Sequence, residues 1–223
     1  MIARVKGEGR AGRMGAGLAE GLAELLSRSR EKVVGIDLAG SEANPSGWAV
    51  LDGLEVRTAI LRADDELIEA TLGARPALVA IDAPLSLPEE GYTRKVDREM
   101  HRLGFPVLPP MFPAMKKLTL RGIRLAQELQ ALGLEVIEVH PASTRKALGL
   151  PVKGRGAIQE ALLALGLKGD LEARSLSIHE LDAVTAALTA ALHLLGLTVL
   201  VGDEEGRICL PRRGLSLARA GED

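Results

Sequence analysis

The chain has 223 residues, 47% of them apolar, enough to bury the core of one substantial α/β domain and too apolar for wholesale disorder. Aromatic residues make up only 2%, so packing rests on Ala, Leu, Val and Ile, and a base-stacking platform for single strands is disfavoured. A formal net charge of -2 excludes a grip on nucleic acid by bulk charge, and the single Cys209 excludes an internal disulfide and a Cys-based zinc cluster.

Residues 1–31 are rich in Gly, Ala and Arg and form an N-terminal extension, with helical spacing at Leu18, Leu22, Leu25 and Leu26. Arg4, Lys6, Arg10 and Arg13 are followed by no continuous apolar segment, so no signal peptide is expected. No apolar run reaches the length of a membrane span, and the expected location is cytoplasmic. VVGIDLAG, residues 33–40, is a β-branched run ending in Asp and Gly and predicts a buried strand leaving through a tight loop. Strands follow at 48–51 and 54–61, joined at Asp52-Gly53, where both residues tolerate positive φ.

Residues 64–74 predict a helix and 77–81 a short apolar strand with Asp82 at its end. Pro84, Pro88 and Gly91 open an insertion at about 84–118, which holds a charged helix at 93–103 and the Pro-rich loop VLPPMFP at 107–113. Helical spacing returns at 119–132, a strand at 134–139 ends at His140-Pro141, and helices are expected at 143–149, 155–166 and 178–195. Thr198–Val201 and Arg207–Leu210 close the chain as strands. Hairpin strands first and helix-separated strands later predict one domain over 32–223, a mixed sheet with helices on both faces.

Asp37 and Asp82 each end a buried apolar run, and Glu138 lies near the end of EVIEV. In α/β sheets ligands bind outside the carboxyl ends of strands, so neighbouring parallel strands would bring these acids to one edge. Asp182 sits on the apolar helix HELDAVTAALTAAL, where an isolated carboxylate is costly, and His179 shares its face one turn earlier. Convergent carboxylates stay ionised together when a divalent cation neutralises them, and oxygen-only ligation favours Mg²⁺ or Mn²⁺. Two such ions can stabilise the attacking and leaving oxygens of a phosphodiester. The plainer roles stand beside this one: Asp37 and Asp82 as turn residues or helix caps, Glu138 facing solvent, Asp182 paired with an arginine, His179 as a cap.

GIDLAG with SGWAVLD, AIDAPLSLP, RKVDREMHRLG, TLRGIRLAQEL, EVIEVHP and ELDAVTAAL together resemble, over roughly residues 33–210, an uncharacterised bacterial and archaeal family of predicted nucleases with a ribonuclease H-like fold. The resemblance implies that Asp37, Asp82 and Asp182 match acidic positions of the wider superfamily, which includes RuvC-like resolvases, and that Glu138 matches one of the narrower family. It implies a Mg²⁺-dependent nuclease acting on DNA or RNA, and a two-fold dimer would suit a junction resolvase. Arg94 and Arg98, with Asp97 between them, recur in the resemblance and are candidate phosphate contacts, as are Lys116 and Arg121; a solvated helix face is the alternative.

Other classes have their own marks. A binding scaffold that has lost catalysis would keep the carboxylates without cleaving. An actin-like nucleotide hydrolase would share the loop GIDLAG, but the chain is short for two such domains and has no Walker A sequence. GEGRAG at 7–12 matches a dinucleotide fingerprint, yet the preceding MIARVK carries charges unsuited to a central strand.

Overall fold

The computed structural model describes residues 11–212. In chain order the elements are α1 (Ala11–Arg28), β1 (Val33–Asp37), β2 (Ser46–Asp52), β3 (Glu55–Leu61), α2 (Asp64–Ala74), β4 (Leu78–Asp82), α3 (Lys95–Arg102), α4 (Lys116–Ala131), β5 (Val136–Glu138), α5 (Pro141–Ala147), α6 (Arg155–Ala164), β6 (Lys168–Gly169), α7 (Asp170–Ala173), α8 (Ile178–Leu194), β7 (Thr198–Asp203) and β8 (Gly206–Pro211). The sheet has the order β5-β4-β1-β2-β3-β6. β1, β2 and β3 run antiparallel to their neighbours among themselves, while β4 and β5 continue parallel to β1. This is the mixed sheet, antiparallel hairpin strands continued by parallel ones, that the order of elements predicts.

The two faces follow from the strand period of two. Val33, Ala49, Leu51, Leu78 and Ala80 face α8, together with Leu22 and Leu26 of α1. Val34, Ile36, Trp48, Val50, Val79 and Ile81 face the opposite way, onto Leu67 of α2 and Leu125 and Leu129 of α4. Covered on both sides, β1 and β4 can be almost wholly apolar, and so their sequences run without alternation.

α8 begins at a capping box: Ser177 Oγ accepts from the Glu180 amide at 3.2 Å, and Glu180 Oε2 accepts from the Ser177 amide at 2.8 Å. The helix lies directly on the sheet. A Cβ at Gly35 would meet Ala183 O at 2.1 Å, and one at Gly47 would meet His179 O at 2.0 Å. Only glycine at these two strand positions lets the helix backbone come so close.

The sequence missed some local structure. α5 starts at Pro141 rather than 143, because Pro at the first helical position suits a helix start. β6 and α7 went unpredicted, being two and four residues long. β7 and β8 pair with each other as a separate hairpin, linked to the sheet by a bridge between Val139 and Cys209. This hairpin packs on α3 through Val96, Met100, Phe105, Val201, Ile208 and Leu210. Among the described residues no helix is long and apolar enough to cross a membrane. The GEGRAG segment at 7–12 lies mostly outside the described residues.

Candidate functional site

Asp37 and Asp82 end two parallel neighbours and are register partners. Adjacent strands are about 4.8 Å apart, so two carboxylates with the same pleat phase stand side by side. Both follow an isoleucine that points to the α4 face, so both point to the α8 face. Gly47 is the partner of Asp37 on β2, and it is there that α8 begins against the sheet. The close approach delivers His179, whose Nδ1 lies 2.7 Å from Asp37 Oδ2. Burial, with the nearby charge of Asp182, raises the Asp37 pKa to about 6, although the His179 hydrogen bond pulls the other way. The Asp82 side chain makes no hydrogen bond among the described residues; burial, then Asp37 and Asp182, push its pKa well above the usual carboxylate range.

Asp182 joins this group from α8, one turn beyond His179. Its Oδ1 is 2.5 Å from Arg145 Nη1, which also donates to Thr185 Oγ1 at 3.1 Å. Arg145 is buried on α5, and its Nε is buried without a hydrogen-bond partner. Sequence reasoning did not single out Arg145. The segment STRKAL offers Arg145 and Lys146 as adjacent cations, and only the packing of α5 on α8 decides that Arg145 turns inward while Lys146 is exposed.

Glu138 lines the same cavity as Asp37 and Asp82, but from the other face of the sheet. Its register partner on β4 is Ile81, one residue before Asp82, and a shift of one residue reverses the face. Its carboxylate instead meets Arg94 in a two-pronged ion pair: Nη1 to Oε2 at 2.7 Å and Nη2 to Oε1 at 2.6 Å. Oε2 also accepts from the Leu85 amide at 2.8 Å. Arg94 spends its remaining donors on Asp97, at 2.8 Å from Nη2, and on Ser86 Oγ, at 2.9 Å from Nη1. Burial alone would lower the Arg94 pKa, but Glu138 and Asp97 more than reverse that, and it stays charged. Glu138 and Arg94, expected as a metal ligand and a phosphate contact, are here each other's ion-pair partners.

Arg121, expected as a phosphate contact, is likewise paired within the protein. It is buried, with Nε on Asp64 Oδ1 at 2.8 Å, Nη1 on the Ala39 carbonyl at 2.8 Å and Nη2 on the Arg62 carbonyl at 2.6 Å. It clamps the loop after β1 to the end of β3. Arg98 and Lys116 are exposed, and Arg98 donates to the Thr93 carbonyl at 2.8 Å.

A cavity of about 190 Å³ opens beside the strand ends. Asp37, Asp82, Glu138 and His140 line it on the sheet side; Arg94, Asp97, Val107, Leu108 and Met115 line it from the insertion. Burial lowers the His140 pKa, which favours the neutral ring. Among the described residues no group of three or more His, Cys, Asp or Glu is gathered to hold a metal ion. Asp37 and Asp82 fit a hard divalent cation on their own: oxygen donors, side by side, and opposed by each other's charge. Mg²⁺ commonly takes only one or two carboxylates and keeps water in its other positions. Glu138 is engaged by Arg94, and Asp182 gives one oxygen to Arg145.

The family model described as a protein of unknown function, DUF429, matches residues 35–206. No curated protein matches the chain. Among solved structures, Thermus thermophilus RuvC in complex with a Holliday junction substrate is similar at 18% identity and a TM-score of 0.42, over 74% of this chain and 96% of that one. A second Thermus thermophilus RuvC structure is similar at 17% identity and the same TM-score, over the same shares.

Proposed function

We propose, from the premise that the chain belongs to the DUF429 family, that it is a divalent-cation-dependent phosphodiesterase acting on nucleic acid, DNA or RNA. One observation carries this reading: Asp37 and Asp82 are register partners at the carboxyl ends of parallel strands and face a cavity, with Asp182 close enough to raise both their pKa values. Asp37 and Asp82 would hold Mg²⁺ or Mn²⁺. When bound, the ion supplies Lewis-acid stabilisation of charge on the phosphoryl oxygens.

The chain's own residues do the rest. Asp37 Oδ2 orients the His179 ring through Nδ1 and leaves Nε2 as the nitrogen that takes or returns a proton at the reacting oxygen. The apolar insertion wall, Val107, Leu108 and Met115, excludes water from one side of the cavity. Lys116, exposed next to Met115 at the start of α4, and Arg98 on α3 are the cations left to position phosphates.

The test is cleavage of labelled single-stranded, duplex and branched DNA and RNA by the full chain with Mg²⁺ or Mn²⁺. Cutting is expected to require the ion and to fall at least about 100-fold in Asp37→Asn and in Asp82→Asn, the scale on which losing a catalytic group registers. Undiminished cutting by Asp37→Asn overturns the assignment. Ion binding with no cleavage of any of these substrates favours the binding scaffold.

A further inference from the structure

Arg145 is the one strongly buried cation on the α8 side of the carboxylates among the described residues, and the phosphodiesterase mechanism leaves it without a task. It is 3% exposed, bound to Asp182 and Thr185 through Nη1, with its buried Nε unpartnered. Its charge is felt at Asp37, Asp82 and His140. A guanidinium does not lose its proton in a protein, so this is a fixed positive charge built into the site.

Charge and ligand count lead to the same number of ions. Asp37, Asp82 and Asp182, when ionised, together with Arg145 carry a net charge of two negatives. One divalent cation balances it; two would leave a surplus of positive charge. Asp82 has no hydrogen bond and Asp37 has one, to His179, so both keep oxygens for an ion. Asp182 is on Arg145, and Glu138 is held by Arg94 and the Leu85 amide. A second ion on the remaining Oδ2 of Asp182 would stand beside the buried Arg145 guanidinium, which already lacks one partner, and would add like charge to it.

Resting on the phosphodiesterase reading, we infer that Arg145 is a built-in countercharge standing in for a second ion, so that the substrate-free site holds one divalent cation, on Asp37 and Asp82. Asp182 then serves as the tether of Arg145 and does not ligate the ion.

Mn²⁺ titration of the full chain, followed by calorimetry and by the electron paramagnetic resonance signal of free Mn²⁺, counts ions without reference to activity. One ion per chain is expected, lost in Asp37→Asn and Asp82→Asn and retained in Asp182→Asn. Removing the countercharge in Arg145→Gln should tighten Mn²⁺ binding about tenfold or more, or admit a second ion, because a charge this close typically shifts a proton equilibrium by at least as much. Arg145→Lys keeps the charge and should keep the wild-type count. Two ions in the wild type overturn the inference and leave the phosphodiesterase reading standing; so does loss of binding in Asp182→Asn, or unchanged affinity in a folded Arg145→Gln. No ion at all in the wild type overturns both. If Arg145→Gln does not fold, the wild-type count and Asp182→Asn still decide.

Discussion

Asp37 and Asp82 are held in a state that costs the fold. With its pKa raised from 3.8 to about 6, Asp37 binds its proton more tightly in the folded chain than in the unfolded one. Its contribution to stability is therefore complete below about pH 4 and is lost as the pH rises through 6; Asp82 acts in the same direction. A divalent cation competes with that proton. Mg²⁺ is expected to raise the melting temperature at about pH 7.5 and to have less effect at about pH 5, where Asp37 is largely protonated. Calorimetric scans with and without the ion check this, and an equal shift at both pH values contradicts it. Arg94 works in the opposite sense, as the cation shared by Glu138 and Asp97. Replacing it with Ala leaves two buried carboxylates unmatched, and a loss of about 3–5 kcal/mol in denaturant unfolding is expected. Lys in its place should recover little, since a single ammonium cannot make the two-pronged contact.

At the level of elements, the site depends on how closely α8 lies on β1 and β2. Ala183 and Ala187, one turn apart, face Gly35, and His179 starts the helix over Gly47. Small residues on both partners bring His179 and Asp182 to the strand ends. Gly35→Ala places a methyl against Ala183 O and Ala187 N, at 2.1 and 2.3 Å, and neither backbone atom can swing aside. The helix must lift, at a cost of about 1–3 kcal/mol or more, and the Asp37–His179 hydrogen bond should weaken with it. Unfolding curves measure the first effect. The second shows as changed ring signals of His179 in NMR spectra; unaltered His179 signals in a destabilised chain separate the site from the packing.

For the molecule as a whole, the insertion between β4 and α4 and the β7–β8 hairpin are bound to one another, although more than a hundred residues separate Ser86 and Arg94 from Gly206. Glu205 in the hairpin turn accepts from the Glu89 amide at 2.8 Å and from the Lys95 amide at 2.5 Å, at the start of α3. A Cβ at Gly206 would stand 2.4 Å from Ser86 Oγ and 3.2 Å from Arg94 Nη1. Gly206→Ala is therefore expected to cost about 1–3 kcal/mol, and hydrogen exchange should quicken in α3 and in the hairpin together. Faster exchange confined to the hairpin would show that the two do not act as a unit.

Apolar runs that end in Asp, hairpin signals and the 3.6-residue periods of the long helices are local patterns. From these the sequence determined the mixed sheet, the main helices, and the strand-end placing of Asp37 and Asp82. The order of motifs added Asp182 and His179. What it could not determine was which charged groups would find each other. Glu138 and Arg94 are 44 residues apart, Arg145 and Asp182 are 37 apart, and each looks equally ready for a substrate or for a partner when read along the chain. A one-residue difference in register turned Glu138 to the other face, and the packing of α5 on α8 turned Arg145 inward. Burial decides such pairings, because a charge out of water must be matched where it stands. The four acids thus became two carboxylates open to a cation, one held by an arginine beside them and one locked into the wall.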